Sequence, residues 1–478
     1  MTERLTFNYG TGRRDVQRRT VDFDRAFPPT PEAKRLEEEG RPDWAWRGLL
    51  AFTLVLFFRP QDTIVALAPL HLAELTAIFA LAAMVFQRLQ RGQMIVPLTT
   101  EFLGVAALGA IMAVTIPFSI WPGGAFATFS DVYLKIVAIF VLMVHALRSP
   151  QRIERMTWII LIACGYLGFR AIFDYVRGVN LIEGGRVQGS VGGIFRNPND
   201  LALNLVSYLP IALFAMIEPT TVRKKIFGAI IALLMIGAII CTQSRSGTIG
   251  LMIVLAICAA HVLLRRPTLV LAGVLAIAVT VPFVPQSYFE RMASITDESK
   301  DSTGSREARK ILMTEAVQTF LRYPITGVGA GQFKNYNPPE RQELWRETHN
   351  AVLQLATELG VFGPLIMLFL VGRGLLVVRR ARVILRRAIE SGALLGDDPA
   401  VRWMKAHLSA MNAGIIGWFI CAQFASVAYN WTFYYLLALA AAPHELLLAR
   451  GLAVHAKARR ARTWRVPVVG TGPEAAGA

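Results

Sequence analysis

Cysteine and charged residues are scarce in this 478-residue sequence. The four cysteines lie in or at the ends of apolar runs, at no spacing typical of a metal site or a disulfide framework. We interpret them as small buried hydrophobic residues. Asp, Glu, Lys and Arg make up 17% of the chain, against about 25% in an average soluble domain. No Walker motif occurs. These absences exclude a disulfide scaffold and a charge-rich disordered chain.

Strongly apolar residues make up 54% of the sequence and fall in long runs. A soluble globule of this length could not bury so much apolar surface in one core. Because a membrane-spanning helix needs about 20 apolar residues, the runs predict an all-α polytopic membrane protein with about twelve spans. The predicted spans are 46–59, 70–87, 101–119, 128–147, 156–175, 200–217, 224–242, 247–264, 267–285, 351–378, 406–428 and 431–449.

Lys and Arg together number 50, against 33 Asp and Glu, and their placement predicts the orientation of the chain. If the N-terminus is cytoplasmic, every short basic connection falls on the cytoplasmic side, as the positive-inside rule requires. This pattern predicts two cytoplasmic termini and argues against a groove for nucleic acid. The basic connections contain Arg88/Arg91, Arg148/Arg152/Arg155, Arg223/Lys224/Lys225, Arg265/Arg266 and Arg379/Arg380/Arg382/Arg386/Arg387.

The predicted spans divide the chain into five parts. Residues 1–45 are polar and are expected to form a disordered cytoplasmic tail without a cleaved signal peptide. Spans one to nine occupy 46–285, a large outer loop 286–350, and spans ten to twelve 351–449; residues 450–478 form a basic cytoplasmic tail. A loop this long usually carries function, and apolar residues at helical spacing predict an amphipathic helix near 306–322.

Three arginines break the charge rule because they fall on the outer side. Arg186 and Arg196 lie in a glycine-rich stretch, and Arg245 lies in the tight connection Ser244-Arg245-Ser246-Gly247. An arginine at the rim of a membrane bundle is costly to desolvate unless it meets an anion, and guanidinium groups bind phosphate oxygens bidentately. Snorkelling to lipid headgroups is the alternative explanation, and it also applies to Arg59 at the end of the first span.

His349 is one of only two histidines on the predicted outer side. It stands in Glu347-Thr348-His349-Asn350, where the large loop enters an apolar run. A histidine at this position suits general-base chemistry near neutral pH; the alternative is a role in helix capping. No second histidine or cysteine lies at zinc-ligand spacing. Gly327-Val328-Gly329-Ala330-Gly331 follows no strand, so we interpret it as a tight turn and not a dinucleotide loop.

The order of these motifs resembles the O-antigen ligase / O-antigen polymerase (Wzy-type) superfamily of bacterial membrane glycosyltransferases. The resemblance covers about 180–365 and comprises Arg186…Asn197-Pro198-Asn199, Ser244-Arg245-Ser246-Gly247, Ser305-Arg306, Pro324-Ile325-Thr326-Gly327-Val328-Gly329 and His349-Asn350…Gln354…Glu358-Leu359-Gly360.

The resemblance implies a GT-C-like bundle in the bacterial inner membrane with a periplasmic active site. It implies an O-antigen ligase-like transfer of glycan from an undecaprenyl-diphosphate carrier to an acceptor hydroxyl, without metal or cofactor. His349 would be the catalytic base, and Arg186, Arg245 and Arg306 would bind the diphosphate. Supporting roles would fall to Arg196, Asn197, Asn199, Ser244 and Asn350. Arginines fit this chemistry because their positive charge binds the diphosphate more strongly as negative charge develops on it.

Two further functions stay open. A Wzy-type polymerase of O-antigen or exopolysaccharide repeat units would use the same motifs, with another lipid-linked glycan as acceptor in place of lipid A-core. A transporter of lipid-linked glycans would place ionisable groups at mid-membrane in broken helices; Lys135, in the fourth predicted span, is the main such residue. Most other charges lie at the rims, which favours chemistry at the membrane surface. Membrane lipids are expected partners in every case.

Overall fold

A computed structural model describes residues 22–28, 42–92, 98–182, 185–190, 192–217, 221–263, 267–295 and 305–452. These residues are mainly helical, with one two-stranded antiparallel ribbon in which Leu181 pairs with Val187. The strands are β1 (Leu181–Ile182) and β2 (Arg186–Val187). The helices are α1 (Phe23–Ala26), α2 (Trp44–Phe58), α3 (Pro60–Thr63), α4 (Leu72–Gln90), α5 (Thr100–Thr115), α6 (Pro122–Ala127), α7 (Leu134–Ala146), α8 (Pro150–Val176), α9 (Pro198–Ile217), α10 (Val222–Thr242), α11 (Arg245–Leu263), α12 (Pro267–Thr280), α13 (Gln286–Ala293), α14 (Ser305–Arg322), α15 (Ala351–Leu359), α16 (Phe362–Glu390), α17 (Pro399–Ala422) and α18 (Trp431–Ala449).

Short non-α segments join several of these helices. A π-helix, Thr128–Tyr133, connects α6 to α7, and such segments are frequent at functional sites. The 3₁₀ turns are Val65–Leu70, Ile116–Phe118, Gly193–Arg196, Val281–Phe283 and Phe333–Asn335.

Several helices start at a side chain that caps free backbone N–H groups. Asp43 accepts from Trp46 N (3.0 Å) at the start of α2, and Asn430 accepts from Thr432 N (3.0 Å) at the start of α18. At α8, Ser149 caps the helix and Pro150 occupies its first position, where the missing N–H has no helical partner to lose. The helix boundaries therefore follow local capping chemistry as well as hydropathy.

Nine helices in the described ranges are long and apolar enough to cross a membrane. The chain is thus an all-α, multi-pass membrane protein, as predicted, but the count of twelve spans is not confirmed. Three predicted spans correspond to helices outside this group: α2 has 15 residues, α12 has 14, and α17, with 24, is too polar. The nine are Ala66–Gln90, Thr100–Phe118, Pro122–Ala146, Pro150–Val176, Pro198–Ile217, Val222–Thr242, Arg245–Leu263, Phe362–Glu390 and Trp431–Ala449.

The predicted span 351–378 is wrong in its boundaries. The chain forms the short helix α15 and then the long helix α16, with a break at Gly360, whose φ is +66°. A side chain at Gly360 would meet the backbone of Ile325, so the loop before α15 packs against this break. Because hydropathy is continuous across 351–378, only the glycine conformation separates the two helices.

The N-terminal region contains ordered structure within the predicted disordered tail. Helix α1 places Phe23 and Phe27 in the core, with exposed fractions of 4% and 1%. The Phe23 ring meets Trp403 edge-on at 5.2 Å, and Arg450 donates to the Phe27 carbonyl (2.8 Å). The expectation of disorder therefore fails for residues 22–28, while residues 1–21 and 29–41 of the tail lie outside the described residues.

Helices α9 and α18 form the centre of the bundle. Both are buried over most of their length, and Thr432 at the start of α18 donates to Asn204 in α9 (3.1 Å). Trp418 of α17 stacks on Phe433 of α18 at 4.3 Å. The starts of these helices are consequently held together at one end of the bundle, which is where the predicted site residues lie.

Candidate active site

Arg186, Asn199 and Ser244 form a hydrogen-bonded cluster that joins three separate sequence motifs. Oδ1 of Asn199 accepts from the Arg186 guanidinium (2.9 Å) and from the Ser244 hydroxyl (2.9 Å). Arg186 also donates through Nε to the Thr242 carbonyl (3.2 Å), at the end of α10. Arg186 is half-buried on β2. The structure therefore brings these three predicted residues together.

Arg245 lies at the start of α11, next to this cluster in the chain. The Ser244 hydroxyl accepts from Gly247 N (3.2 Å) and so caps the helix that Arg245 begins. Gly247 allows α11 to approach α9 closely, because a Cβ atom there would lie 2.6 Å from Cβ of Ala202. Arg245 is half-buried. The tight connection thus holds a second arginine at the same end of the bundle.

Helix N-termini converge beside these arginines. Asn197 caps α9 by accepting from Asn199 N (2.8 Å), Ser244 caps α11, and Asn430 caps α18. The first two ends are joined by the Ser244–Asn199 hydrogen bond. Helix N-termini carry partial positive charge and present N–H groups, so their convergence favours an anion at this position.

Helix α13 in the large loop covers one side of the arginine cluster. Arg291 donates to the Gln243 carbonyl (3.1 Å), and the Gln243 side chain donates to Ser287 (3.2 Å) and to the Gly185 carbonyl (3.4 Å). The Tyr288 and Thr248 hydroxyls are 3.0 Å apart. The loop is therefore attached to the Ser-Arg-Ser-Gly connection, and Arg291 adds a third guanidinium near it.

His349 stands immediately before α15 in a left-handed backbone conformation, with φ of 51°. Its backbone N–H donates to Oγ of Ser426 (2.9 Å), which also contacts the Thr348 hydroxyl (3.2 Å). Asn350 caps α15 by accepting from Val352 N and Leu353 N (2.9 Å each), and its amide donates to the Gln423 carbonyl (3.1 Å). Asn350, and not His349, is therefore the residue that caps α15, so helix capping does not explain His349.

Burial and two arginines hold the pKa of His349 well below its ordinary value. Desolvation is the larger cause; the positive charges of Arg309 and Arg346 add to it and bring the pKa to about 4. The imidazole is therefore neutral at physiological pH. A neutral, half-buried imidazole can accept a proton, so the environment fits the base predicted from the sequence.

The glycine-rich segment 327–331 binds the end of α15. Val328 N donates to the Thr357 carbonyl (2.8 Å), and Gly331 N donates to the Glu358 carboxyl group (2.8 Å). Gly331 has φ of +71°, and a Cβ there would lie 2.4 Å from the Thr128 hydroxyl, so only glycine fits. Burial raises the pKa of Glu358 to about 8. The predicted turn is thus a support for a buried, protonated carboxyl group.

A cavity of about 440 Å³ joins these parts of the molecule, within the size range of small-ligand sites. Thr348, which precedes His349, lines it, and so does Asp200, which follows Asn199. The cavity is therefore lined by the chain neighbours of Asn199 and His349, while Arg186, Arg245 and His349 are not among its lining residues. Its lining comprises Trp121, Gly124, Ala127, Thr128, Val132, Asp200, Gly331, Gln332, Phe333, Lys334, Asn335, Glu347, Thr348, Gln354, Glu358, Ser426, Val427, Tyr429 and Asn430.

Two arginines considered in the sequence lie elsewhere. Arg59 binds Asp62 through Nε (2.6 Å), and the Asp62 carboxylate also accepts from Gly192 N (2.6 Å). Arg196 is exposed and acts electrostatically on the same Asp62. A protein carboxylate thus already balances both cations. Arg306 begins the predicted amphipathic helix, present as α14, but its side chain lies outside the described residues, as do Gly184 and Arg265/Arg266.

Sequence reasoning missed Arg309, Arg346 and Asp200. Arg309 lies one helical turn after Arg306 on α14, and a helical projection of that motif would have placed it on the same face. Asp200 directly follows the Asn197-Pro198-Asn199 motif. Arg346 precedes His349 in a loop without periodicity, so no sequence signal marked it.

Metal-binding side chains are not gathered into a site in the part of the chain that the structure describes. Within those residues, no group of three or more His, Cys, Asp or Glu side chains lies close enough together to hold a metal ion.

Comparison with known proteins supports the resemblance. Residues 230–368 match the family model described as O-antigen ligase. This region runs from within α10 into α16 and contains the Ser-Arg-Ser-Gly connection, Arg309, the glycine-rich segment and His349; Arg186 precedes it. No curated protein matches the chain. Over residues 230–368, this multi-pass membrane protein is therefore similar to the O-antigen ligase family, which supports the resemblance to the O-antigen ligase/polymerase superfamily.

Proposed function

We propose that this protein transfers a glycan from an undecaprenyl-diphosphate carrier to an acceptor hydroxyl on the periplasmic face of the bacterial inner membrane. The observation that carries the proposal is that the arginine cluster and a neutral histidine each adjoin one cavity through neighbouring residues of the chain, Asp200 after Asn199 and Thr348 before His349. The cluster offers Arg186 and Arg245 at converging helix N-termini. His349 adjoins the cavity through Thr348 and Ser426, which line it.

In the proposed reaction, His349 accepts the proton of the acceptor hydroxyl as that oxygen attacks the anomeric carbon of the donor sugar. The bond between this carbon and the diphosphate oxygen breaks, and the diphosphate leaves with the bonding electron pair. Arg186 and Arg245 bind the leaving group more strongly as its negative charge grows, which lowers the barrier. The products are the extended glycan and undecaprenyl diphosphate, and no metal takes part in this scheme.

The pKa of His349 suits this role because the imidazole is unprotonated before the reaction. Arg309 and Arg346 lower that pKa through their positive charge, and they add cations on the histidine side of the cavity. A base with a low pKa is weak but fully available, so catalysis depends on its position beside the attacking hydroxyl.

A ligase and a Wzy-type polymerase would share this chemistry and differ only in the acceptor. Transport of lipid-linked glycans has less support, because Lys135 is bound to Glu74 (2.8 Å) and both side chains are about half exposed on the outer surface of the bundle. No interior ion pathway is formed by this pair.

The test is glycan transfer by purified protein in lipid nanodiscs, with an undecaprenyl-diphosphate-linked oligosaccharide as donor. His349→Ala and Arg245→Ala should each abolish transfer while the protein still inserts and purifies normally. Arg177→Ala, which changes an arginine stacked over Phe173 (5.3 Å), is the matched control and should retain activity. Full activity in either site variant would refute the mechanism. Carbohydrate gels of a deletion strain would then separate a ligase (loss of long lipopolysaccharide chains) from a polymerase of secreted polysaccharide.

A further inference from the structure

The cavity beside His349 has an unusual charge for a protein that handles diphosphates. Three of its lining residues, Asp200, Glu347 and Glu358, carry carboxyl groups, and Lys334 is the single basic residue among them. The arginines of the cluster are absent from the lining. Glu358 is protonated, but a diphosphate placed in this cavity would still face the carboxyl groups of Asp200 and Glu347. The diphosphate therefore fits the arginine cluster better, and the cavity is left for another part of a substrate.

The Asp200 carboxyl group lines the cavity. Within the described ranges, no backbone or side-chain group donates a hydrogen bond to it, and the charge that acts on it is the nearby Glu347. A buried carboxylate normally has hydrogen-bond partners. The Asp200 carboxyl group is therefore placed to hydrogen-bond what enters the cavity, such as water or the hydroxyl groups of a ligand.

The remaining lining suits a sugar ring. Trp121 is 57% exposed at the cavity, and an aromatic face can pack against the C–H groups of a pyranose. The amide side chains of Gln332, Asn335 and Gln354 also line it. Asn335 donates to Gln332 (2.8 Å) and Gln354 accepts from Ala428 N (3.2 Å), and an amide side chain has further donor and acceptor sites beyond one such bond. An apolar plate with a few polar groups around it is the usual construction of a small-molecule site.

We infer that this cavity binds an uncharged sugar of the acceptor and discriminates against acidic sugars such as uronic acids. This inference rests on the proposed function, because His349 takes its proton from the acceptor and Thr348 and Ser426 connect it to the cavity. An anionic sugar would either face the carboxylates as like charges or force them to take up protons. Both penalties are absent for a neutral ring, so the selectivity follows from the lining.

The experiment measures sugar binding without turnover, by saturation-transfer NMR on the full-length protein in nanodiscs. The probes are α-1,4-galactotriose and trigalacturonic acid, which differ in the oxidation state of C6, and cellotriose with its glucuronic acid counterpart. We expect the neutral sugars to bind at least about tenfold more tightly than the acidic ones. Equal binding, preference for the acidic sugars, or no binding of either kind would overturn the inference.

Variants locate the effect in the cavity. Asp200→Asn combined with Glu347→Gln should raise the affinity for the acidic sugars about tenfold and change that for the neutral sugars less than about threefold. The control variant, Glu390→Gln combined with Asp397→Asn, removes two charges away from the cavity and should keep the preference for neutral over acidic sugars. Trp121→Ala should weaken neutral binding, whereas Trp44→Ala, an exposed tryptophan at the opposite end of the bundle, should not.

Two outcomes separate this inference from its alternatives. His349→Ala should still bind the neutral sugars although it transfers no glycan. If the unmodified protein binds neutral and acidic sugars equally, the inference is wrong and the proposed function is unaffected. Retained glycan transfer by His349→Ala would contradict the proposed function. Loss of sugar binding in EDTA, restored by Ca²⁺ or Mg²⁺, would mean that the carboxyl groups hold a cation and would also overturn the inference.

Discussion

Arg186 donates a hydrogen bond of 2.9 Å to Oδ1 of Asn199, and the same oxygen accepts from Ser244. One amide oxygen thus links β2, the start of α9 and the start of α11. The guanidinium is thereby held at a fixed angle, and a planar guanidinium fork matches the oxygens of a phosphate in a way that an ammonium group does not.

Replacement of Arg186 by alanine should lower kcat/KM for glycan transfer by at least about 100-fold, as loss of a charge-stabilising donor typically does. Arg186→Lys should not restore activity, because an ammonium group cannot reproduce the planar two-donor geometry. Asn199→Ala should give a smaller loss, since it removes only the positioning bond. Equal activity of Arg186→Lys and the unmodified protein would contradict bidentate binding.

The pH profile of kcat/KM should report the depressed pKa of His349. With a pKa of about 4, the base stays neutral, so kcat/KM should stay flat from about pH 8 down to about pH 5. An ordinary histidine, with a pKa of about 6.5, would already be largely protonated at pH values near the lower end of this range. Arg309→Ala removes a positive charge, so the pKa of His349 should rise and the acid limb should move to higher pH. Arg322→Ala, on the same helix but bound to Glu340 (2.9 Å), is the control. A fall in kcat/KM centred at about pH 6.5 in the unmodified protein would disprove the depressed pKa.

Arg373 and Glu101 form a buried ion pair between α16 and α5. The side chains are 12% and 2% exposed, and Nε lies 3.1 Å from Oε1. Glu101→Gln should lower the free energy of unfolding by about 3–5 kcal/mol, because it leaves a buried charge without its partner. Replacing both residues, Glu101→Gln with Arg373→Met, should recover most of the loss. Breaking the exposed Arg386–Glu390 pair on α16 (2.9 Å) should cost about 1 kcal/mol or less, as measured by denaturant unfolding.

Gly250 and Cys421 mark a close approach of α11 and α17. A Cβ at Gly250 would lie 2.4 Å from Sγ of Cys421. Gly250→Ala should therefore destabilise the protein by about 1–3 kcal/mol through overpacking, and Cys421→Ala should relieve much of that in the double variant. Gly273→Ala in α12, where no atom lies within 4 Å, should be neutral or slightly stabilising. Additive effects of Gly250→Ala and Cys421→Ala would show that the two positions do not clash.

The proposed orientation of the chain can be tested by cysteine labelling in intact cells, with the four native cysteines replaced by alanine. Ser190→Cys, on the arginine-cluster side, should react with a membrane-impermeant maleimide. Val383→Cys, in the basic half of α16, should react only after the inner membrane is permeabilised. The reverse result would place the candidate site on the cytoplasmic side.

Much of the site could be predicted because its parts are encoded locally. Ser244 to Gly247 is a helix start, and Asn350 is a capping residue before an apolar run, so neighbouring residues are enough to identify both. The cavity could not be predicted, since it unites the π-helix at Thr128, the glycine-rich segment, Asp200 and the loop before α18. These segments are distant in sequence, and no periodicity relates them.

The sequence by itself determined the membrane class and the motifs that carry the chemistry, because hydropathy and helix capping depend on neighbouring residues. Tertiary structure alone decided that Asp62 also accepts from Gly192 N, that the loop at Ile325 packs against the break at Gly360, and that Arg309 acts on His349. These outcomes depend on which side chains meet across the bundle. Charge pairing and burial are properties of that packing, and no local pattern encodes them.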